Sequence, residues 1–373
     1  MLAVKDDHNP RRAPALARTP APLSPRTHPV STVYEVADRA GVSTATVSRV
    51  IHGSNLVHPD TRERVLAVIE ELGYVPDGSA QGLSRRRKDI IGLAALERGT
   101  TEVGIEKTSP LFMDELVHAV ESVLRGTDCS LLLTFGPAGE PFQRRIRSLS
   151  GKVDGLLVAE EVMPPGQLRS LARRIPVVAI AGRRDETELD VVAVDNTAGM
   201  RALAAHLIED HGYRRLGFLA GPADSPDARE RLETFRQAVA GHPGCVLDPV
   251  LEGDFSEASG AAAARTLLAL RPAPEVVACA NDQMAIGVLL QFQGSGVAIP
   301  ADMAVTGFDD IYASRVVTPQ LTTVGQPFRE LGHRAAQRLR ARIEDRELPQ
   351  RTEILPTRCA IRASCGCPAP GAR

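Results

Sequence analysis

The chain has 373 residues, 43% of them hydrophobic, and a formal net charge of −2. This length and composition allow two or three domains with sizeable cores, and the lack of an apolar run of about eighteen residues excludes a membrane-spanning helix. Six scattered cysteines form no disulfide framework, and the Pro-rich first 29 residues lack a signal-peptide pattern, so we expect a cytoplasmic protein.

The N-terminal part of the chain is mildly basic. Residues 1–88 carry 13 Lys or Arg against 9 Asp or Glu, which leaves the remainder mildly acidic. Such an asymmetry is weak evidence for a polyanionic partner. Residues 1–29 contain too few large apolar groups to offset the entropy of ordering, so we predict a disordered basic tail there.

Three amphipathic helical patterns follow the tail, over residues 33–40, 44–51 and 61–72. The third is predicted to bury one face, formed by Val65, Leu66, Ile69 and Leu72. Side chains suited to helix capping precede each pattern: Thr32 with Glu35, Ser43, and Asp60 with Glu63. Residues 30–75 therefore predict a compact three-helix domain.

The first two helices meet at a short turn that begins with Gly41. Two helices joined by three or four residues including glycine are typical of a helix-turn-helix, whose second helix enters the DNA major groove. The predicted outer face of the second helix consists of Thr44, Ala45, Ser48 and Arg49. Hydroxyl groups suit phosphates and Arg can bond guanine, although small residues also occur in three-helix cores without a DNA role.

A linker and an α/β core are predicted beyond this domain. Residues 76–88 are polar, contain glycines and end in a cationic cluster at 85–88. From residue 89 onward short apolar runs alternate with amphipathic helical patterns, beginning with IIGLAAL and DELVHAVESVLR. This alternation predicts parallel sheets with right-handed crossovers. The strands are about twice as many as one such sheet needs, so we predict two α/β lobes with a cleft between them.

Potential metal ligands and catalytic groups are too sparse in the sequence to predict a site. Cys365 and Cys367 are close together, but a four-ligand site needs two more groups and the tail ASCGCPAPGAR offers none nearby. His206 and His211 are five residues apart, so we do not expect them to share a helical face. No GxSxG, Walker A or HExxH pattern occurs. We predict no metal, no cofactor and no enzymatic activity.

A long N-terminal block resembles the headpiece of the lactose-repressor (LacI/GalR) family: VYEVADRAGVSTATVSRVIHGSNLVHPDTRERVLAVIEELGYVPDGSAQGL. Later segments are similar to the family core, among them DNTAGMRALAAHLIEDHGYRRLGFLAGP and CANDQMAIGVLLQFQGSGVAIPADMAVTGFDD. The resemblance runs from about Thr32 to Ser364. It implies a bacterial transcription regulator, most often a repressor, with a helix-turn-helix headpiece and a periplasmic-binding-protein-like core that senses a small molecule.

The resemblance also implies domain limits. We expect a helix-turn-helix domain at 30–75, a hinge at 76–88, a core at 89–364 and a tail at 365–373. Within the core we expect one lobe at about 89–192 and 328–355, and the other at about 193–324 and 356–364.

Residue by residue, the resemblance assigns two kinds of DNA contact. It implies base contacts by Thr44, Ala45 and Arg49. It implies contacts to the DNA backbone by Thr32, Tyr34, Ser43, Thr46, Ser48 and Thr61. In the segment 75–83 it implies a hinge helix that forms on the operator, with Leu83 inserted into the minor groove beside Ala80.

The hinge departs from the family pattern. Asp77 and His52 stand where relatives commonly have Asn, and Gly78 and Gly82 each cost about 1 kcal/mol relative to Ala within a helix. We hypothesise a hinge helix that forms reluctantly, partly offset by the cationic cluster at 85–88. Tighter operator binding by a Gly82→Ala variant is the expected outcome.

Ligands of two-lobed α/β proteins bind at the carboxyl ends of the strands. The resemblance implies effector contacts by Arg231, Asn281 and Asp309, which suit adjacent hydroxyls of a sugar or nucleoside. Aromatic contacts are implied for Phe255 and Phe112, and Arg183 is a weaker candidate. From the pattern alone, Asn281 and Asp309 could instead be helix caps, Arg231 a surface residue and the aromatic rings core residues. Ala181 and Gly182 provide no carboxylate of the kind some sugar-binding members have, which argues against a hexose.

The leading hypothesis is a DNA-binding transcriptional regulator, with repression as the expected mode, that acts as a homodimer on paired operator half-sites and responds to a small effector. The segment AAQRLRARIEDREL lacks sustained leucine heptads, so a dimer is expected rather than a tetramer. The alternative is a solute-binding or sugar-processing protein without a DNA role. Whether the effector releases or tightens DNA binding, and whether the protein activates or represses, stays open.

Overall fold

The computed structural model describes residues 31–51, 53–74, 87–97, 113–159, 162–181 and 188–368. The chain divides into two compact units, Met1–Arg85 and Arg86–Arg373. Within the described ranges, no helix combines the length and the apolar character that crossing a membrane requires.

The N-terminal unit contains the helices α1 (Val33–Ala40), α2 (Thr44–Ile51) and α3 (Pro59–Leu72). They enclose a small core of Val36, Ala37, Ala40, Val47, Val50, Val65 and Val68. As predicted, Gly41 ends α1 in the left-handed conformation, with a φ of 65°. The Thr32–Glu35 capping box is present, and the Ser43 hydroxyl accepts the N–H of Thr46 at 3.2 Å, so these two caps are confirmed.

Two predictions for α3 are wrong. The helix begins at Pro59, and Asp60 lies inside its first turn instead of capping it. Proline is favoured at the first helical position because its fixed φ fits the helix and its missing N–H has no helical partner there. Leu66 is 48% exposed, whereas Val68 is buried. Val68 lies three residues after the buried Val65 and so on the same side of the helix, whereas Leu66 is rotated about 100° from Val65 around the helix axis.

The first lobe of the C-terminal unit is built on six parallel strands: β1 (Ile90–Leu96), β2 (Ser130–Gly136), β3 (Gly155–Ala159), β4 (Val177–Ile180), β5 (Asp190–Val194) and β11 (Thr352–Leu355). Their order in the sheet is β11-β5-β4-β3-β1-β2. Its helices are α4 (Met113–Leu124), α5 (Glu140–Leu149), α6 (Pro165–Ala172) and α12 (Phe328–Glu344). Neighbouring β3 side chains alternate across the sheet, so Leu157 and Leu156 join separate apolar clusters.

The second lobe is built on the strands β6 (Arg215–Ala220), β7 (Val246–Glu252), β8 (Val276–Cys279), β9 (Ala304–Asp309), β10 (Thr322–Gly325) and β12 (Arg358–Ala360). Their order is β12-β10-β9-β8-β6-β7, and only the edge strand β12 is antiparallel to its neighbour. The helices are α7 (Asn196–Ala205), α8 (Pro226–Ala240), α9 (Glu257–Ala269), α10 (Asp282–Gly294) and α11 (Ala313–Val316).

The chain passes between the two sheets after β5, after β10 and after β11. The first of these crossings comes after Val194, the last residue of β5. The expected boundary of the first lobe, at residue 192, therefore falls inside β5, two residues before the strand ends. Two parallel-sheet lobes and a separate helix-turn-helix unit confirm the predicted fold class.

Helix α7 ends in a single π-helical turn, His206–Asp210. The N–H of His211 donates to the carbonyl of His206 at 3.3 Å, one residue further back than in an α-helix. Because this wider turn brings residues five apart onto one face, the expectation that His206 and His211 cannot share a face is wrong. Their Nε2 atoms lie 3.2 Å apart.

Candidate functional site

The outer face of α2 is open to solvent. Ala45, Ser48 and Arg49 are exposed and Thr44 is half-buried. Val47 and Val50, on the other side of the helix, are buried in the core. The turn side chains Ser43 and Thr46 share a hydrogen bond of 3.0 Å. The predicted reading surface thus consists of short side chains around one guanidinium, a shape that allows close approach to base edges.

Three other arginines among the described residues of this unit bond one of its elements to another. Arg39 pairs with Glu71 at 2.6 Å, Arg64 donates to the carbonyl of Ala40 at 3.0 Å, and Arg62 donates to the carbonyl of Ser54 at 2.5 Å. Among the described residues of the headpiece, no such partner lies beside Arg49. Its charge therefore remains available for a polyanion.

None of the side chains implied for DNA-backbone contacts is buried. Tyr34, in the first turn of α1, is 75% exposed. The Thr32 hydroxyl already accepts the N–H of Glu35 at 3.3 Å, so a phosphate would share it with the capping box. Thr61 is half-buried in the first turn of α3.

Residues 76–86 of the predicted hinge lie outside the described residues. This holds for Asp77, Gly78, Ala80, Gly82 and Leu83, and also for His52, Phe112 and Arg183. Lys88, the last member of the predicted cationic cluster, is described, and its ammonium group donates to the carbonyl of Val153 at 2.9 Å. Lys88 is therefore bonded to the first lobe, and the support of the hinge by the cationic cluster, if that cluster lies near the DNA backbone, stays a prediction.

In the second lobe, the structure brings Arg231 and Asp309 together. Asp309 ends β9, and Arg231 lies in α8, which follows β6. The guanidinium lies 3.7 Å from the Asp309 carboxylate and stacks on Phe308, with 3.8 Å between Cζ and the ring centre. It also donates to the Ala280 carbonyl at 2.8 Å. Both side chains are less than a tenth exposed, so the surface interpretation of Arg231 is wrong.

Asn281 is a helix cap, one of the two roles that its position allows. It caps α10 by accepting the N–H of Met284 at 3.0 Å, and its amide donates to the carbonyl of Phe255 at 3.0 Å. Phe255 has a φ of 71°, and its ring covers Gly221 so closely that a Cβ there would lie 2.3 Å from it. The strand-end loops thus hold Asn281 and Phe255 next to the Arg231 pair.

Sequence reasoning missed two polar partners of this cluster. Asn196, fully buried at the start of α7, accepts the Nε–H of Arg231 at 2.9 Å and donates to Asp227 at 2.6 Å. Gln326, just after β10, donates to Asp309 at 2.5 Å. Both follow the carboxyl end of a strand, so the strand-end rule that selected Asn281 could have found them.

A fully buried carboxyl group, Asp282, lies beside this cluster. It accepts the hydroxyl of Thr323 at 2.5 Å and the N–H of Ile311 at 3.0 Å. Burial raises the pKa of Asp282 well above its usual range, and the carboxylate of Asp309 raises it further, against the effect of the two hydrogen bonds.

A second polar cluster lies at the opposite edge of this sheet. Cys365 and Cys367 lie close to His206 and His211, and their four potential ligand atoms are all within 4.8 Å of one another. The expectation that the cysteine pair has no further ligand groups nearby is therefore wrong. The missing groups are distant in sequence, since His206 and Cys365 are 159 residues apart, and the fold brings them together.

Comparisons with known proteins agree with this architecture. Residues 32–77 match the family described as bacterial regulatory proteins, lacI family, and residues 204–365 match the periplasmic binding protein-like domain. The chain is 31% identical to the HTH-type transcriptional repressor PurR of Photobacterium profundum, with 90% of this chain and 98% of that protein covered. It is 30% identical to the ribose operon repressor of Haemophilus influenzae, with coverage of 90% and 98%.

Two solved structures are similar over most of their length. The lac repressor dimer bound to operator and the anti-inducer ONPF superimposes with a TM-score of 0.75 at 26% identity, covering 90% of this chain and 99% of that one. The complex of the transcriptional regulator CelR with cellobiose gives a TM-score of 0.66 at 34% identity, with the same coverage. Fold and sites together define a DNA-binding transcriptional regulator with a ligand-sensing core. The chain belongs to the LacI family of bacterial regulatory proteins, which confirms the resemblance.

Proposed function

We propose that this protein is a cytoplasmic repressor that binds paired operator half-sites as a homodimer. A sugar or nucleoside-like effector, bound at Arg231, Asn281 and Asp309, changes its operator affinity. The observation that carries the effector proposal is the buried Arg231–Asp309 pair next to Asn281, at the carboxyl ends of parallel strands.

The chemistry of this cluster suits a polyhydroxylated ligand. The guanidinium of Arg231 can donate two parallel hydrogen bonds, the carboxylate of Asp309 can accept two, and the amide of Asn281 can both donate and accept one. Adjacent hydroxyl groups of a ligand can therefore be bonded in a fixed orientation. The half-buried ring of Phe255 supplies an apolar surface beside them. Relatives support the same class, since the Haemophilus protein is a ribose operon repressor and a CelR structure contains cellobiose.

The DNA-binding proposal rests on α2. One recognition helix contacts only a few base pairs, so specificity requires two half-sites and a dimer to span them. We assign base contacts to Thr44, Ala45 and Arg49, and backbone contacts to Thr32, Tyr34, Ser43, Thr46, Ser48 and Thr61. For the hinge we assign the minor-groove wedge to Leu83 with Ala80 beside it. The curated relatives are repressors and regulators rather than enzymes, and we assign no catalytic activity.

The effector proposal is tested by a thermal-shift screen of the full chain against ribose, a hexose, cellobiose and a nucleoside. A molecule that binds the folded state must raise the melting temperature. We expect one class to do so, and we expect Asp309→Asn to abolish its shift while the exposed control Asp128→Asn keeps it. A ligand that stabilises the wild type and Asp309→Asn equally contradicts this site.

The DNA proposal is tested by gel shift with the DNA upstream of the protein's own gene, with and without the stabilising ligand. We expect Arg49→Ala to weaken binding about 10- to 100-fold, because a bidentate base contact is worth about 1–3 kcal/mol. The matched control is Arg39→Ala, in which an exposed ion pair within the headpiece is lost. Failure of the wild type to bind any such fragment at low salt favours the alternative of a solute-binding protein.

A further inference from the structure

The two histidines at the end of α7 and the two cysteines after β12 form a compact group of ligand atoms, here called the Cys2His2 cluster. It lies at the amino-terminal edge of the second sheet, where Thr322 begins β10 and donates its hydroxyl to the Cys365 sulfur at 3.1 Å. Cys365 is fully buried and the other three residues are half-buried. The cluster is separate from the Arg231 cluster, which lies at the carboxyl-terminal edge.

Four of the six distances between the ligand atoms are close to the edges of a zinc tetrahedron, and all six are within 4.8 Å. With metal bonds of about 2.05 Å to nitrogen and 2.3 Å to sulfur, tetrahedral angles give edges of about 3.3 Å between nitrogens and about 3.6 Å between nitrogen and sulfur. The Nε2 atoms of His206 and His211 are 3.2 Å apart. The distances from Cys365 Sγ to His206, and from Cys367 Sγ to His211 and His206, are 3.5, 3.3 and 3.8 Å.

The surroundings orient these ligands as in known metal sites. A metal-binding histidine usually donates its second ring nitrogen to a carboxylate, and His206 Nδ1 lies 2.8 Å from the carboxylate of Asp210. His211 stacks on Tyr213 with 5.5 Å between ring centres, and the Tyr213 hydroxyl donates to the Cys365 carbonyl at 3.0 Å. Both histidines thus present Nε2 to the two sulfurs.

We propose that this Cys2His2 cluster is a structural zinc site. Two sulfur and two imidazole ligands in tetrahedral arrangement select zinc over hard cations, and four protein ligands leave no open position for catalysis. Binding displaces one proton from each thiol, so two thiolates neutralise the divalent ion. The spacing of the histidines, with four residues between them, lies within the range common in zinc sites.

The zinc ion fastens the C-terminal segment to α7. The antiparallel strand β12 has three residues and is the outermost strand of the sheet. Cys365 lies in the short 3-10 turn that follows it, and Cys367 comes two residues later. The ligands, up to 159 residues apart in sequence for His206 and Cys365, meet only in the folded chain, so the free energy of zinc binding stabilises the folded state. Zinc therefore stabilises this edge of the lobe, whatever the effector is.

The full chain, purified without chelators, is tested for metal by elemental mass spectrometry. We expect about one zinc per chain in the wild type and less than about a tenth of that in Cys367→Ser and His211→Asn. The matched controls Cys129→Ser and His118→Asn, which lie in the first lobe, keep their zinc. Cobalt exchanged into the wild type gives the intense visible absorption of tetrahedral thiolate coordination.

A strong chelator is expected to lower the melting temperature of the wild type by about 5 °C or more and to leave Cys367→Ser unchanged. The wild-type measurements do not depend on the folding of any variant. A wild type that contains no zinc and takes up no cobalt overturns the proposal, as does a Cys365–Cys367 disulfide in freshly purified protein.

Discussion

The two edges of the second sheet each hold a polar cluster, and the clusters are built differently. At the carboxyl-terminal edge, buried charges are matched by protein groups, as with Arg231 and Asp309. At the amino-terminal edge, the Cys2His2 cluster gathers four side chains that are suited to one divalent cation. Helix α7 connects the edges, since Asn196 at its start bonds Arg231 and the π-turn at its end carries the histidines.

This difference suits the two clusters to different tasks: reversible binding of an effector at one edge and stable binding of a metal at the other. A ligand at the carboxyl-terminal edge exchanges hydrogen bonds with groups that already have partners, so it can bind and leave with small changes in free energy. A metal at the amino-terminal edge replaces weak contacts among imidazoles and thiols by four coordinate bonds. One edge is therefore suited to sensing and the other to holding the lobe together.

The largest expected effect is that of Arg231→Met, which keeps the apolar stem and removes the charge. Asp309 then loses its buried cationic partner, and breaking such a pair destabilises a protein by about 3–5 kcal/mol. Urea unfolding without effector measures the loss. The control Arg236→Met lies on the same helix, where Arg236 is about half exposed, and is expected to change stability by less than about 0.5 kcal/mol. Similar losses in the two variants would mean that the carboxyl-terminal edge does not depend on this ion pair.

A smaller effect is expected for Gly366→Ala at the amino-terminal edge. Gly366 has a φ of 103°, which L-residues rarely adopt, and an added Cβ would lie 3.3 Å from the ring of His211. Such strain costs about 1–3 kcal/mol. The control Gly166→Ala in α6 has an open position and an ordinary backbone, so it is expected to be neutral or stabilising. Unfolding curves decide the point, and a neutral Gly366→Ala would show that the segment between the cysteines is loosely held.

The sequence predicted the carboxyl-terminal edge better than the amino-terminal edge, for a physical reason. Strand ends follow from short-range patterns: MAVTGF and EVVACA mark β9 and β8, so Asp309 and Asn281 could be assigned to one edge. The Cys2His2 cluster depends on a π-turn, which carries no strong sequence signal, and on contacts between distant segments. No local pattern brings His206 to Cys365.

The strand β7 was also missed, because VLDPVLE contains charges and a proline. Proline lacks the N–H that a central strand needs, so it is tolerated only at a sheet edge. β7 is an edge strand that pairs with β6 alone, and its residues alternate between exposed and half-buried. Pattern reasoning recognises buried central strands more readily than such edge strands.

A pH-dependent effect is expected at the carboxyl-terminal edge and is tested with Asp282→Asn. The raised pKa of Asp282 means that the folded state keeps a proton which the unfolded state releases above about 3.9. The contribution of Asp282 to wild-type stability therefore falls as pH rises from that value toward the raised folded pKa, by at most about 1.4 kcal/mol per pH unit. Asn resembles the protonated form and carries no such dependence. We expect the stability of Asp282→Asn relative to wild type to increase from pH 5 to pH 7.5 in urea unfolding, while Asp128→Asn shows no trend. Parallel profiles for Asp282→Asn and wild type would mean that the hydrogen bonds from Thr323 and Ile311 outweigh burial and the repulsion from Asp309 and Asp310, so that this edge holds its charges at every pH tested.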